Sequence, residues 1–327
     1  MIISKTPFRI SFFGGGTDYP AWYEEHGGAV LSTTIDKYCY INTRYLPPFF
    51  EHKHRIVYSN IENVKSINEI HHPVVRALLN HFNIEKGMEI HHDGDLPARS
   101  GLGSSSAFTV GMLNCMHALM GNIVSKSELA RQAINVERNI LKENVGSQDQ
   151  VAVARGGFNK ITFHKGHDFS VEPMTLPKER VSQLENNLML IFTGFSRFAS
   201  EIAAEQVKNI RDRKKELTEL KQMVDHAVGI LGGDRDIVEF GKLLHESWQL
   251  KKCLSDKISN QVLNDLYENA LRCGAVGGKL LGAGGGGFML LFVRPESKEK
   301  LRQNLKNYLE VEFSFENEGS QIIYYNP

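Results

Sequence analysis

From Leu96 to Ala107 the chain reads Leu-Pro-Ala-Arg-Ser-Gly-Leu-Gly-Ser-Ser-Ser-Ala, two spaced glycines and then three consecutive serines. Gly101 and Gly103 allow the backbone to approach a ligand closely. If a helix opens directly after them, its first N–H groups stay unpaired and point forward, which makes an anion site. The hydroxyls of Ser104, Ser105 and Ser106 can cap that helix, or they can meet phosphate oxygens or a cation bound to them. Both uses suit the same residues, so the choice falls to the rest of the chain.

Two further groups of residues bear on it. Arg9 lies in an alternating run that ends in Gly14-Gly15-Gly16, with Thr17-Asp18-Tyr19-Pro20 directly after, so Arg9 and Asp18 are expected near each other at one strand end. Glu137 is an acid on an apolar edge, with Ile134 three residues before it and Leu141 four after. A partly buried carboxylate without a partner is costly, which points it at a cation, an arginine or a cleft unless its head reaches water. Asp149 follows twelve residues later, inside the polar segment Val145–Val151. A glycine run from Gly277 to Gly287 formally contains G-x-G-x-x-G at 282, 284 and 287, but a helix precedes it and a strand follows. That order is the reverse of a dinucleotide fingerprint, and no G-x-x-x-x-G-K-[ST] loop occurs. Close packing of backbone against backbone, or against a ligand, remains as the use of these glycines. His52, His54, His71 and His72 lack a further ligand at a spacing that completes a metal site.

The elements that must position these residues follow from periodicity. Phe8, Ile10 and Phe12 alternate with Arg9, Ser11 and Phe13 over residues 2–13 as in a strand, and β-branched and aromatic residues from Gly28 to Tyr45 predict two more strands. After the serines, Phe108, Val110, Leu113, Met116 and Leu119 predict a buried helix ending near Gly121. Ser125-Lys126-Ser127-Glu128 is a capping box for the next helix, whose core stripe reads Leu129, Ala133, Val136 and Ile140. The strand Lys160–Phe163 closes a first domain, the polar stretch Pro177–Asn187 joins it to a second, and Leu188–Thr193 opens that one as a strand. Residues 200–231 read as a charged helix with a solvated face bearing Arg211, Arg213, Lys214 and Lys215; helices over Asp236–Lys252 and Asn260–Cys273 follow.

With 327 residues the chain exceeds a usual single core, so two domains are expected. Its 38 basic and 38 acidic side chains cancel, which leaves no global field for nucleic acid or membrane surfaces. Any anion must be held locally. Cys39, Cys115, Cys253 and Cys273 are scattered, which argues against a zinc site or a disulfide scaffold and fits reduced thiols in the cytoplasm. No signal peptide or apolar span long enough for a bilayer is read.

Taken together, the motifs Arg9 to Tyr19, Leu96 to Ala107 and Lys279 to Phe288, in that order, resemble the GHMP kinase family of small-molecule kinases. The resemblance covers nearly the whole chain. It implies an α+β, two-domain fold: an N-terminal domain of the ribosomal-protein S5 type over residues 1–186, and a ferredoxin-like C-terminal domain over 187–327, with ATP and substrate in the cleft between them. It implies that Pro97, Ser100, Gly101, Leu102, Gly103, Ser104, Ser105 and Ser106 hold the ATP phosphates, that Ser105 and Glu137 share Mg2+, and that Asp149 accepts the proton of the substrate hydroxyl. Arg9 would sit between that hydroxyl and the phosphate and offset transition-state charge. Gly15, Gly16, Thr17 and Asp18, with Gly284 and Gly285 of the last motif, would contact the substrate.

Within the family, Arg-Ile-Ser-Phe-Phe-Gly-Gly-Gly-Thr-Asp-Tyr-Pro is similar to the branch that phosphorylates the anomeric oxygen of D-glycero-D-manno-heptose 7-phosphate for nucleotide-activated heptose synthesis. Leu243 to Trp248 and Gly277 to Gly282 are similar to that branch as well. Galactokinases carry Glu-His where this chain has Gly15-Gly16; two glycines open space, which suits a bulkier or already phosphorylated sugar. Fucokinase domains share a similar glycine motif, and other relatives use ATP to decarboxylate a phosphorylated acid. A non-catalytic sugar sensor on the same fold is a third class, against which Arg9, Glu137 and Asp149 argue. The expected partner is a small sugar or sugar phosphate, without nucleic acid or membrane, and a homo-oligomer is compatible with the sequence. Arg44, Arg99, Arg197 and Lys279 are the candidates for a substrate phosphate.

Overall fold

The computed structural model describes residues 1–194 and 199–327, and Arg197 therefore lies outside the described residues. Strand β1 (Ile2–Phe13) runs into the triple-glycine turn, helix α1 (Pro20–His26) follows, and β2 (Gly28–Tyr45) returns antiparallel to β1. From Thr6 onward every residue of β1 is buried, so this strand is covered on both faces and carries Arg9 and Ser11 inside the molecule. The two strands expected between Gly28 and Tyr45 are one. The register slips between Pro7 and Phe8, opposite Tyr38 and Ile35, so Asp36 and Lys37 form a bulge that bends β2 without ending it.

The rest of the first unit comprises β3 (His54–Val57), β4 (Ile61–Val64), α2 (Pro73–His81), β5 (Met88–Gly94), α3 (Ser104–Leu119), α4 (Lys126–Asn135), α5 (Gln148–Arg155), β6 (Asn159–His164), β7 (Asp168–Pro173) and α6 (Lys178–Asn186). Helix α4 opens on the expected cap, with Ser125 accepting from the Glu128 N–H at 3.1 Å. It does not continue as a regular helix. Val136–Ile140 form a π-turn, which adds a residue to the turn; Val136 and Glu137 stay buried while Ile140, expected on the core stripe, is exposed. Asp149, expected in an irregular insertion, stands in the first turn of α5.

The second unit holds β8 (Leu188–Phe192), α7 (Ala199–Asn209), α8 (Lys214–Gly232), α9 (Val238–Lys252), α10 (Gln261–Arg272), β9 (Ala275–Leu280), β10 (Phe288–Val293), α11 (Pro295–Asn304) and β11 (Leu309–Val311). Its sheet is antiparallel in the order β11-β8-β10-β9, fourth-first-third-second in chain order, which is the ferredoxin-like arrangement. Helix α8 is more than a solvated face: Leu217, Leu220, Val224, Ala227 and Leu231 are buried. The last strands, β12 (Phe315–Glu316) and β13 (Gln321–Tyr325), recross and pair with β2 and β1. A second domain running to residue 327 is thereby corrected, because the C-terminal segment covers the edge that β1 would otherwise leave unpaired. Among the described residues no helix is long and apolar enough to cross a membrane.

Candidate active site

Arg9 reaches from β1 into a cleft between the two units and is 2% exposed. Its Nε donates to Asp149 Oδ1 at 2.8 Å and its Nη2 to Oδ2 at 2.6 Å, a two-pronged ion pair. The remaining Nη1 donates to the Gly101 carbonyl at 2.6 Å, and the Arg9 N–H to that of Leu102 at 3.0 Å. One arginine therefore fixes the Asp149 carboxylate and the glycine loop in a single frame. Gly103 stands before α3 in the left-handed region, at φ +75°, and a Cβ there would come within 3.1 Å of Arg9 Cγ and 3.5 Å of Asp149 Oδ2. A side chain there would strain the backbone and press on the ion pair. The open N-terminus of α3 and the side chains of Ser104, Ser105 and Ser106 face the same cleft.

Glu137 enters from the π-turn and is 1% exposed. Its Oε2 accepts from Ser106 Oγ at 3.1 Å and from Gln150 Nε2, while its Oε1 has no partner among the described residues. Burial pushes the carboxyl up to about 7 against the opposite pull of the Gln150 and Ser106 hydrogen bonds. In the first turn of α3 the buried Ser106 hydroxyl donates to Glu137, whereas Ser105, expected to share a cation with Glu137, is exposed at the mouth of the same cleft. An orphaned, buried carboxylate oxygen beside a serine hydroxyl fits a hard cation such as Mg2+, which takes few protein ligands and completes its shell from phosphates and water. Among the described residues no group of three or more His, Cys, Asp or Glu side chains could hold a metal by itself.

Asp18 is 1% exposed and lines the cleft; its Oδ1 accepts from the Gly16 N–H at 3.0 Å and its Oδ2 from that of Gln148 at 3.3 Å. Burial, then the Asp149 charge, raises its carboxyl above the usual range. Opposite stand two buried lysines from the second unit, Lys251 and Lys279. Lys251 Nζ donates to the Leu280 and Gly282 carbonyls at 3.0 and 2.5 Å, and Lys279 Nζ to that of Phe12 at 2.7 Å. Burial, then repulsion by Arg9, lowers Lys251 to about 7; burial also takes Lys279 well below the usual lysine range. Lys251 escapes sequence reading because Leu-Lys-Lys at a helix end looks like charge that compensates the helix dipole.

Several expected contacts lie elsewhere. Thr17 is wholly buried and pins the turn by donating to the Gly14 and Ala29 carbonyls at 2.8 and 2.9 Å. Pro97 is exposed and does not line the cleft, and Leu102 belongs to the core. Ser100 is buried behind the loop, its carbonyl accepting from the Phe288 N–H at 3.1 Å. Gly284 and Gly285 pack on Ile258, whose carbonyl accepts from the Gly285 N–H at 2.9 Å; Gly282 and Ala283 line the cleft in their place. The use expected for the second glycine run is visible at Gly282, where a Cβ would stand 2.5 Å from the Gly101 Cα, so the two glycine turns meet backbone to backbone. Arg99 lines the cleft, whereas Arg44 pairs with Glu89 at 2.5 Å on the outer part of β2.

Known proteins resemble the chain over both units. The family profile described as GHMP kinases N terminal domain matches residues 68–157, and that of the GHMP kinases C terminal matches 227–311. The chain is 30% identical to a D-glycero-alpha-D-manno-heptose 7-phosphate kinase of Campylobacter jejuni, over 97% of each chain. It is 27% identical to a bifunctional fucokinase/GDP-fucose pyrophosphorylase of Arabidopsis thaliana, over 94% of this chain and 31% of that one. The solved structure of a D-glycero-D-manno-heptose 1-phosphate kinase from Bacteroides thetaiotaomicron superposes over the full length of both chains, with a TM-score of 0.81 at 25% identity. Through these matches the chain belongs to the GHMP kinase family of ATP-dependent small-molecule kinases.

Proposed function

We propose that the protein is a cytoplasmic sugar kinase that transfers the γ-phosphoryl group of ATP to the anomeric hydroxyl of D-glycero-D-manno-heptose 7-phosphate. One observation carries the reading: Arg9, Asp18, Glu137, Asp149 and the serines of α3, from four separate stretches of sequence, line one cleft. The similarity to a heptose 7-phosphate kinase over nearly the whole chain supports the choice of sugar.

Phosphoryl transfer leaves little covalent work to a protein beyond alignment and charge. The N–H groups and hydroxyls at the start of α3 receive the phosphates. Asp149, held by Arg9, accepts the sugar hydroxyl proton as the oxygen bonds to the γ-phosphorus and the bond to ADP breaks; the proton then passes to solvent. A base so placed contributes roughly 10²- to 10⁴-fold. Arg9 orients Asp149 and adds positive charge where the transferring group is negative. Glu137 and Ser106 would hold Mg2+, which neutralises phosphate charge when bound. Asp18, oriented by two backbone N–H groups, accepts hydrogen bonds from sugar hydroxyls.

The test is turnover with ATP and Mg2+ on heptose 7-phosphate, heptose 1-phosphate, free heptose, fucose and galactose, with phosphorus NMR of the product. The expected result is preferential turnover of the 7-phosphate and a new anomeric phosphate signal. Preference for fucose, or for heptose 1-phosphate with a new phosphate on another oxygen, overturns the assignment. Release of carbon dioxide and free phosphate from a phosphorylated acid would mark a decarboxylase instead.

A further inference from the structure

Ser11, Lys251 and Lys279 line the cleft, yet the transfer described above gives them no task. Each lysine is more than nine-tenths buried and donates only to backbone carbonyls, and neither is within ion-pair distance of a carboxylate among the described residues. As ammonium groups with three donors each, Lys251 would keep one uncommitted and Lys279 two. Burial without a counter-anion disfavours that charged form, so an anion in the space they face is what would hold both as cations. Asp18, the carboxylate whose field reaches both, is already engaged by backbone N–H groups.

Two further observations fall at the same place. Ser11 Oγ is buried without a hydrogen-bond partner among the described residues, and it projects from β1 on the same side as Arg9. Gly15 has ordinary backbone geometry, and a Cβ there would meet only Gln148 Nε2 at 3.8 Å and Ser11 Oγ at 4.0 Å. The fold therefore has no need of a glycine at 15; what its absence of side chain provides is space beside the idle hydroxyl. Lys279 is anchored on Phe12, three residues along β1 from Arg9, toward the Gly14–Gly16 turn.

We propose that Ser11, Lys251 and Lys279, around the space left at Gly15, form the subsite for the phosphate that the substrate already carries, so that the enzyme selects sugar phosphates over free sugars. Two ammonium groups and a hydroxyl match a phosphate dianion in charge and donor count. The inference rests on the sugar-phosphate reading given above, and it assigns the grip on that phosphate to residues of both units.

The experiment is steady-state kinetics of wild type, S11A, G15A, K251M and K279M with heptose 7-phosphate and unphosphorylated heptose, together with KM for ATP. The readout is the ratio of kcat/KM for the phosphorylated over the free sugar. It should fall roughly tenfold in S11A and about thirtyfold or more in each lysine variant, as for loss of hydrogen bonds to a charged group. G15A should lower it too, through KM for the sugar phosphate, while KM for ATP stays within about threefold. The lysine variants also cut ties to carbonyls; S11A and G15A break no bond in the protein and keep the test valid if those variants misfold. If wild type turns over heptose 7-phosphate and S11A and G15A leave the ratio unchanged, the subsite is refuted while the function stands. A rise in KM for ATP in place of that for the sugar phosphate also refutes it, since the anion held would be the nucleotide's. Turnover of a different phosphorylated sugar, with the ratio falling in the variants, supports the subsite and refutes the heptose; turnover of free sugars alone refutes both.

Discussion

Asp149 is gripped by two nitrogens of one guanidinium, which determines what its replacement does. In Asp149→Asn the amide turns an NH2 toward one Arg9 nitrogen, so both the proton acceptor and the frame are lost. Turnover should fall about 10²- to 10⁴-fold. Nucleotide affinity, set by the α3 N-terminus, should change less than about threefold in a titration with an ATP analogue. Glu137 supplies a pH signature. Its carboxyl moves from an ordinary 4.5 up to about 7 through burial, so between those values the folded chain holds a proton that the unfolded chain has released. The stability it contributes is complete below 4.5 and is lost as pH rises through about 7. His54, His72 and His92, lowered by burial, slope the other way, but they cancel when wild type is compared with Glu137→Gln. Without divalent cation, the melting temperature of wild type minus that of the variant should decline from pH 5 to 8, and Mg2+ should restore wild type alone. The Mg2+ needed for half-maximal activity should rise as pH falls below 7, because protons compete for the same oxygen. Arg9 and Asp18 stand out in sequence because they flank a glycine turn at a strand end, and Glu137 because it interrupts an apolar edge; Asp149, in a polar segment, stands out only through the family resemblance. Lys251 and Ser11 do not, since a lysine at a helix end and a serine in a strand look ordinary until tertiary packing buries them.

At the scale of elements, the glycine turns and the π-turn set the precision of the site. Gly103→Ala places a Cβ in left-handed backbone and against the Arg9–Asp149 pair. Gly121, just after α3, has a similar φ of +71° but nothing within 4 Å of its Cβ. Both alanine variants should lose about 1–2 kcal/mol of stability to backbone strain. Only Gly103→Ala should also lower kcat, by about tenfold or more, as positioned groups are displaced. Equal kcat in the two variants would show that the loop does not hold the catalytic pair. The glycine turns were legible as local chemistry, whereas their meeting at Gly101 and Gly282 is a tertiary contact that no order of local elements dictates. The π-turn was not legible, because Leu129, Ala133, Val136 and Ile140 satisfy a regular helical stripe; the turn that carries Glu137 inward is selected by its partners Ser106 and Gln150, remote in sequence. The bulge at Asp36–Lys37 is hidden for the same reason, since it answers Pro7 on another strand.

Over the whole molecule, the residues of the cleft are held in register by a segment that does not touch it. Ser320, between β12 and β13, is 5% exposed, and its Oγ lies 2.8 Å from Thr6 Oγ1 and accepts from Asn114 Nδ2 at 3.0 Å. Its N–H donates to the Val153 carbonyl at 3.0 Å. Thr6 belongs to β1 with Arg9, Asn114 to α3 with the serines, and Val153 to α5 with Asp149, so one residue near the C-terminus ties together the three elements that carry the chemistry. Gly319 beside it is seated so closely on α5 that a Cβ would stand 2.1 Å from the Ala154 carbonyl oxygen. Ser320→Ala leaves the Thr6 hydroxyl unmatched in the interior and takes a partner from the half-buried Asn114 amide, at a cost of about 1–3 kcal/mol. Removal of residues 315–327 takes away β12, β13 and this tie together, and exposes the edge of β1. Although no deleted residue lines the cleft, the truncated chain should lose about 99% or more of its turnover, because small displacements of positioned groups are costly in rate. Calorimetry should show a single transition for the full chain and a broadened or split one after truncation, the second sheet keeping its own four strands. A truncated chain with full activity and an unchanged melting transition would mean that β1, α3 and α5 are held in place by their own packing alone.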